Sequence, residues 1–329
     1  MTAHPTTPTV VTVRSPEDVL ALVPVLLGFE PAESLVMLTF GADPPFHARA
    51  ALPDAPDDLP ELVDSLVAPA RQHRVRRALL VAYSERGRPA DRALTAVARA
   101  LRRQGVEVLD GLRTDGRRWH PVPRRPGVPA HGVPYDVSGH PIVAQAVFEG
   151  QVVHGSRQAL AATLCAEPGL VARVVGALAG LPGERAPALE EGRWACELVE
   201  RHTRAGTAPT DGDVARLLRG VLDVRVRDAA WSPLSRAVAP AHVAFWTDVV
   251  RRTPDPLVPA PAALLAFASW QAGHGALAWC AVDRCQEVDP DYSLADLVRR
   301  ILEEAVPPTA WDGGGDWTTG VSMAPPEAG

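Results

Sequence analysis

Hydrophobic positions recur with a helical period near the start of the chain, then in short continuous runs, then with a helical period almost to the end. Ser15-Pro16-Glu17-Asp18 precedes the first periodic stretch. Ser15 can accept backbone N–H bonds, Pro16 suits a first helical position, and Asp18 completes an S-x-x-D capping box. The helix so predicted carries Val19, Leu20, Leu22 and Val23. Pro24 is expected to kink or split it, and Gly28 to close it. After the turn Phe29-Glu30-Pro31, the apolar run Ser34–Phe40 reads as a buried strand. Gly41-Ala42-Asp43-Pro44-Pro45 reads as a turn into a returning strand at 46–52. Leu59, Leu62, Val63, Leu66, Val67 and Ala70 then mark an amphipathic helix at 57–73.

A strand at Arg77–Tyr83, a helix at 89–104 and a strand at 106–110 follow. In the helix Leu94, Val97, Ala98 and Leu101 point inward, and Gly105 stops it. This strand–helix–strand unit predicts a right-handed crossover between parallel strands. Asp115-Gly116 predicts a hairpin ending near Trp119-His120. Residues 121–134, rich in Pro, Gly and Arg, predict a long irregular loop.

Beyond Pro141 strand signals vanish. Helices are predicted at 141–149, 157–166, 168–180, 188–205, 211–221, 240–252, 260–273, 275–287 and 292–305. Ser156 and Thr210 are candidate caps, the latter with Asp213 in a second capping box. Trp194, Trp231, Trp246, Trp270 and Trp279 read as core residues of this part. The expected fold is an α/β domain at 14–140, a small mixed sheet with a βαβ crossover, followed by an all-α helical bundle at 141–310. Tails are expected at 1–13 and 311–329. Ala266, Gly273, Ala278, Cys285 and Pro290 fall at spacings that resemble a tetratricopeptide helical hairpin, so the last hairpin is expected to be tetratricopeptide-like.

Composition narrows the function. Apolar residues make up 47% and charged residues 22% of 329, an ordinary globular balance. No apolar stretch approaches a membrane span, and Met1 to Val13 has no basic or apolar leader pattern. Cys165, Cys196, Cys280 and Cys285 are scattered, which favours a reducing, cytoplasmic setting and, for Cys280 and Cys285, small buried apolar roles. There is no lysine. That removes any G-x-x-x-x-G-K phosphate loop, and no G-x-G-x-x-G follows a strand. Residues 1–150 hold 17 Arg against 17 Asp plus Glu, and residues 151–329 hold 16 against 22. Neither half has the basic balance of a nucleic-acid binder. The run Arg71, Arg74, Arg76 and Arg77 reads as a solvated helix end.

The block Val23-Pro24-Val25-Leu26-Leu27-Gly28-Phe29-Glu30-Pro31-Ala32-Glu33-Ser34-Leu35-Val36 resembles the opening signature of an actinobacterial family, domain-of-unknown-function family 4192. Leu27, Gly28, Phe29, Pro31 and Ser34 carry that signature. Arg77–Tyr83, 105–113, 223–228 and 262–307 with Asp289-Pro290-Asp291-Tyr292 are similar to it as well, so the resemblance spans roughly 12–310. Relatives often carry a Cys-bearing stretch after a Gly-x-x-Trp. Here Gly116-Arg117-Arg118-Trp119 runs into His120-Pro121-Val122-Pro123 with no Cys. The resemblance implies an architecture and no established activity.

Three functional readings follow. The leading one is a non-catalytic binding or regulatory module without a cofactor, with a protein partner taken through the C-terminal helices. The alternative is a small-anion or nucleotide-binding enzyme at the carboxyl rim of the sheet. There Ser84, Glu85, Arg86 and Arg88 would follow one strand and Asp110 the next, beside the N–H groups of a helix start. The third is a metal-dependent hydrolase on His120, His131, Tyr135, Asp136 and His140, which lack any fixed ligand spacing and assign no metal ligand. Ser34 lacks a nucleophile elbow and reads as a turn or strand-end cap.

Overall fold

The computed structural model describes residues 13–41 and 46–311. The expected tails, apart from Val13 and Trp311, and residues 42–45 of the expected turn lie outside the described residues. The chain divides into two units, Met1–Ser156 and Arg157–Gly329.

The first unit opens with α1 (Pro16–Leu27). Its capping box is formed: Asp18 N donates to Ser15 Oγ at 3.1 Å, and Ser15 N donates to Asp18 Oδ2 at 2.9 Å. Pro24 does not split the helix. The helix runs through it, and Gly28, at φ +76°, ends it by donating to Pro24 O at 2.8 Å. Ser15→Ala is expected to lower the first unit's stability by about 1 kcal/mol, read from its denaturation midpoint.

β1 (Ser34–Phe40) and β2 (His47–Ala51) lead to α2 (Leu59–Gln72), β3 (Arg77–Tyr83), α3 (Gly87–Arg103), β4 (Glu107–Thr114), β5 (Arg118–Pro121), β6 (Val133–Pro134) and α4 (Pro141–Phe148). The six strands form one mixed sheet in the order β2-β1-β3-β4-β5-β6. β3 and β4, joined through α3, are parallel; every other pairing is antiparallel. β3 is buried on both faces after Arg77, as its unbroken apolar run requires of a central strand. Leu35, Met37, Ala78, Leu80 and Ala82 meet α2 and α3 on one face. Val36, Leu38, Leu79, Val81, Tyr83, Leu112 and Trp119 meet α1 on the other. α4, expected with the helical half, belongs to this unit and packs on α1.

The strand expected at 106–110 is displaced and longer. The β3–β4 register pairs Ala78 with Val108 but Leu79 with Asp110, so Leu109 is a bulge that re-phases the strand. Beyond it Leu112 joins the α1 face, while Gly111 faces Leu94 of α3.

The second unit holds nine α-helices among the described residues: α5 (Arg157–Ala162), α6 (Pro168–Ala179), α7 (Ala188–Ala205), α8 (Asp211–Gly220), α9 (Val224–Trp231), α10 (Ala239–Arg251), α11 (Pro259–Gln271), α12 (Gly275–Gln286) and α13 (Ser293–Glu303). α9 was not among the predicted helices. Every residue of α11 is buried, which its all-round apolar sequence demands, and α10, α12 and α13 pack against it. Of the five tryptophans, Trp246 and Trp270 are buried, and Trp194 lies under the Arg216 guanidinium at 4.0 Å. Of the repeat-like pattern, Ala266, Ala278 and Cys285 are fully buried, while Gly273 is exposed. Cys285 Sγ donates to Pro259 O, and burial pushes its thiol up to about 12. Buried Arg252 is held by Asp211, by Asp248 at 2.9 Å and by Pro209 O at 2.8 Å.

Candidate ligand-binding cleft

Antiparallel pairing of β1 with β3 sets Ser34 opposite Tyr83. The turn 29–33 is thereby delivered to the carboxyl ends of β3 and β4. A cleft of about 560 Å³ opens there, walled by Glu30 to Glu33, Tyr83, Ser84, Glu85, Thr114 to Gly116, residues 135–138 and Val143. Its size is that of a small-molecule site, and its position is where open parallel sheets hold ligands.

On one side Ser84 Oγ donates to Glu33 Oε2 at 3.0 Å and accepts from Arg86 N at 2.9 Å. The Arg86 guanidinium grips Glu33 Oε2 at 2.8 Å and Asp54 Oδ1 at 3.0 Å. Those hydrogen bonds hold Arg86 more firmly protonated than usual. Glu33 itself adopts φ +41°, a left-handed conformation uncommon for a side chain of its type. On the other side Tyr135 Oη and Thr114 Oγ1 are 2.9 Å apart, and Gly116 N donates to Thr114 Oγ1 at 3.0 Å. Asp115 accepts from the backbone N–H groups of Arg117 and Arg118 at 2.9 and 2.7 Å. They hold its carboxyl below the usual range against the opposing effect of burial. Asp136 is lowered by Ser138 N in the same way. Desolvation raises Glu30.

Tyr83 lies at the base of this arrangement. It is 6% exposed, and its hydroxyl has no hydrogen-bond partner. Burial, with Tyr135 and Glu30 alongside, pushes its phenol well above the usual range. Ser34, expected to cap a turn or strand end, is fully buried, and its hydroxyl also lacks a partner.

The residues expected at the rim separate. Ser84 and Glu85 line the cleft. Arg86 lines with Ser84 an adjoining smaller pocket beside Asp54 and Pro89, its guanidinium on Glu33 and Asp54. Arg88 is exposed within the first turn of α3, which begins two residues earlier than expected. Asp110 does not follow its strand. It lies within β4 opposite Leu79, bonded to its neighbour's N–H (Gly111) and ion-paired with Arg125.

The histidine loop disperses too. His120 is in β5, paired with Arg113, and burial lowers its pKa. His131 is exposed. His140 caps α4, accepting at Nδ1 from Ile142 N at 3.3 Å, so Nε2 carries the proton that meets Asp18 Oδ1 at 3.0 Å. Among the described residues no group of three or more His, Cys, Asp or Glu could hold a metal ion. Asp136 and Tyr135 from that loop belong instead to the cleft.

A family model matches residues 16–309. The chain belongs to the family described as a domain of unknown function, DUF4192. Every cleft residue lies inside the DUF4192 match, and the signature residues Gly28, Phe29 and Pro31, following Leu27 at the end of α1, form the turn that carries Glu30 and Glu33 to the rim. Neither the curated proteins nor the solved structures contain a match to the chain. Among the described residues no helix is long and apolar enough to cross a membrane.

Proposed function

We propose that the chain is a non-catalytic small-molecule-binding module whose site is the rim cleft of the first unit, with Ser84 and Glu85 among its contact residues. The observation that carries this reading is the buried Tyr83 hydroxyl at the cleft, because buried polar groups are rarely left without a partner and a ligand can supply one. A non-catalytic role is supported by the cleft's lining. Ser84 has its hydroxyl committed to Glu33 and is not free to act as a nucleophile. Of the two arginines that the anion-binding alternative uses, Arg86 is ion-paired to Glu33 and Asp54, and Arg88 is exposed and outside the cleft lining. A cytoplasmic setting is supported by four free cysteines, Cys165 among them exposed.

Ala32 is exposed at the cleft wall, so a large side chain there fills the cleft without disturbing the core. Thermal shift is the measurement, with a panel of cationic, neutral and anionic small molecules. Some members are expected to raise the melting temperature of the native chain, and Ala32→Trp to abolish that rise. Stabilisation that survives Ala32→Trp places the site elsewhere and ends this reading.

A further inference from the structure

Five carboxylates line the rim cleft, Glu30, Glu33, Glu85, Asp115 and Asp136, and no Arg or His side chain does. Only Glu33 among them is ion-paired, to Arg86. Backbone N–H groups hold Asp115 and Asp136 ionised. Like charges gathered in one concavity repel each other and focus a negative potential into it. Tyr83 supplies an independent pointer. Its hydroxyl is buried and unpartnered, on the side where Glu30 and Tyr135 wall the cleft. The carboxylates do not converge as metal ligands do, so a bare ion does not satisfy them together. A molecule with several N–H donors on a short chain does.

We propose that the rim cleft binds a small organic cation, an ammonium or guanidinium compound whose N–H groups are accepted by the cleft carboxylates and by Tyr83 Oη. This rests on the cleft being the ligand site. The Ser84–Glu33–Arg86 chain of hydrogen bonds then positions Glu33, leaving Glu30, Glu85, Asp115 and Asp136 as the carboxylates without an ion pair that select a cation.

Calorimetric titration of the full chain tests it with agmatine, spermidine, glycerol and inorganic phosphate as probes. Agmatine or spermidine is expected to bind, and glycerol and phosphate are not. Glu30→Gln combined with Asp136→Asn is expected to weaken binding about tenfold, and Tyr83→Phe about fivefold. Glu61→Gln, an exposed carboxylate of α2 outside the cleft, is expected to change nothing. Glu30 and Asp136 are exposed, so that pair carries the test even if Tyr83→Phe fails to fold. Phosphate or glycerol binding that Ala32→Trp abolishes would overturn the cation assignment while leaving the cleft as the site. Amine binding unaltered by both cleft variants and by Ala32→Trp would overturn both. Absence of binding by either amine overturns the assignment, as does a blocked arginine peptide that binds more tightly than agmatine.

Discussion

Gly111→Ala is expected to lower the stability of the first unit by about 3 kcal/mol, a large effect for one added methyl group. A Cβ at Gly111 would stand 2.5 Å from Val122 O and 2.7 Å from Leu94 Cδ2. Neither neighbour yields easily. Val122 is fixed by its N–H, which donates to Gly111 O at 2.8 Å, next to the Leu112–Pro121 pairing. Leu94 is buried in the core between α3 and the sheet. Relief therefore requires β4 to move away from α3 or from the 121–123 segment, and either movement opens packed apolar surface. Hydrogen exchange separates the units: β3, β4 and α3 amides should exchange faster in the variant, while α10 and α11 amides keep their native rates. Equal protection of β4 in both proteins would show that the strand accommodates the methyl group.

Gly111 also explains why part of this sheet is hard to read in the sequence. In 107–114 a glycine and two charged residues, Asp110 and Arg113, interrupt the apolar pattern, and the Leu109 bulge breaks its period. A strand ending at Asp110 is the natural reading, yet pairing with β3 continues to Thr114. Asp110 is consequently taken from the rim, and Thr114 and Asp115 are put there. Features with local causes are legible: the Ser15–Asp18 box, the Thr210 cap, the continuous apolar runs of β1 and β3, and most helices of the second unit. Among those helices α9 is missed because it has only eight residues and weak periodicity. Asp223, whose side chain accepts from Arg225 N, is the cap that could have revealed it.

Part of the cleft's lining was legible in the sequence. Crossover geometry points to the ends of the parallel strands, and Ser84 and Glu85 are there. What the local sequence hides is long-range pairing. Arg86 meets Glu33, 53 positions away, because β1 and β3 run antiparallel with Ser34 opposite Tyr83. Likewise Tyr135 and Asp136 arrive through β6 and the turn after it, a connection that the proline-rich 121–134 stretch conceals. The histidines attract attention in that segment, but its carboxylate and phenol reach the cleft.

Acid should weaken the second unit well before its carboxylates are neutralised, and His242 is the group with the largest part in it. It lies on α10, 1% exposed, beside neighbours that include Phe245 and Trp246 in its own helix, and its Nδ1 has no partner. Burial lowers its pKa from 6.5 to about 4. The neutral ring is thus the folded form, while the unfolded chain takes up a proton once pH falls below 6.5. The stabilisation is complete above pH 6.5 and is lost progressively as pH falls toward 4, amounting to about 3 kcal/mol across that window. His242→Gln removes the titrating ring. Urea denaturation followed by tryptophan fluorescence at pH 7 and pH 4 should show the native chain losing about 3 kcal/mol more than the variant. His274 in the same unit, and His47 and His120 in the first, are lowered by burial as well, but they are present in both proteins and cancel in the comparison. If the two proteins lose equal stability, the folded ring takes up its proton as readily as the unfolded one, and water or a rearranged neighbour must reach Nδ1.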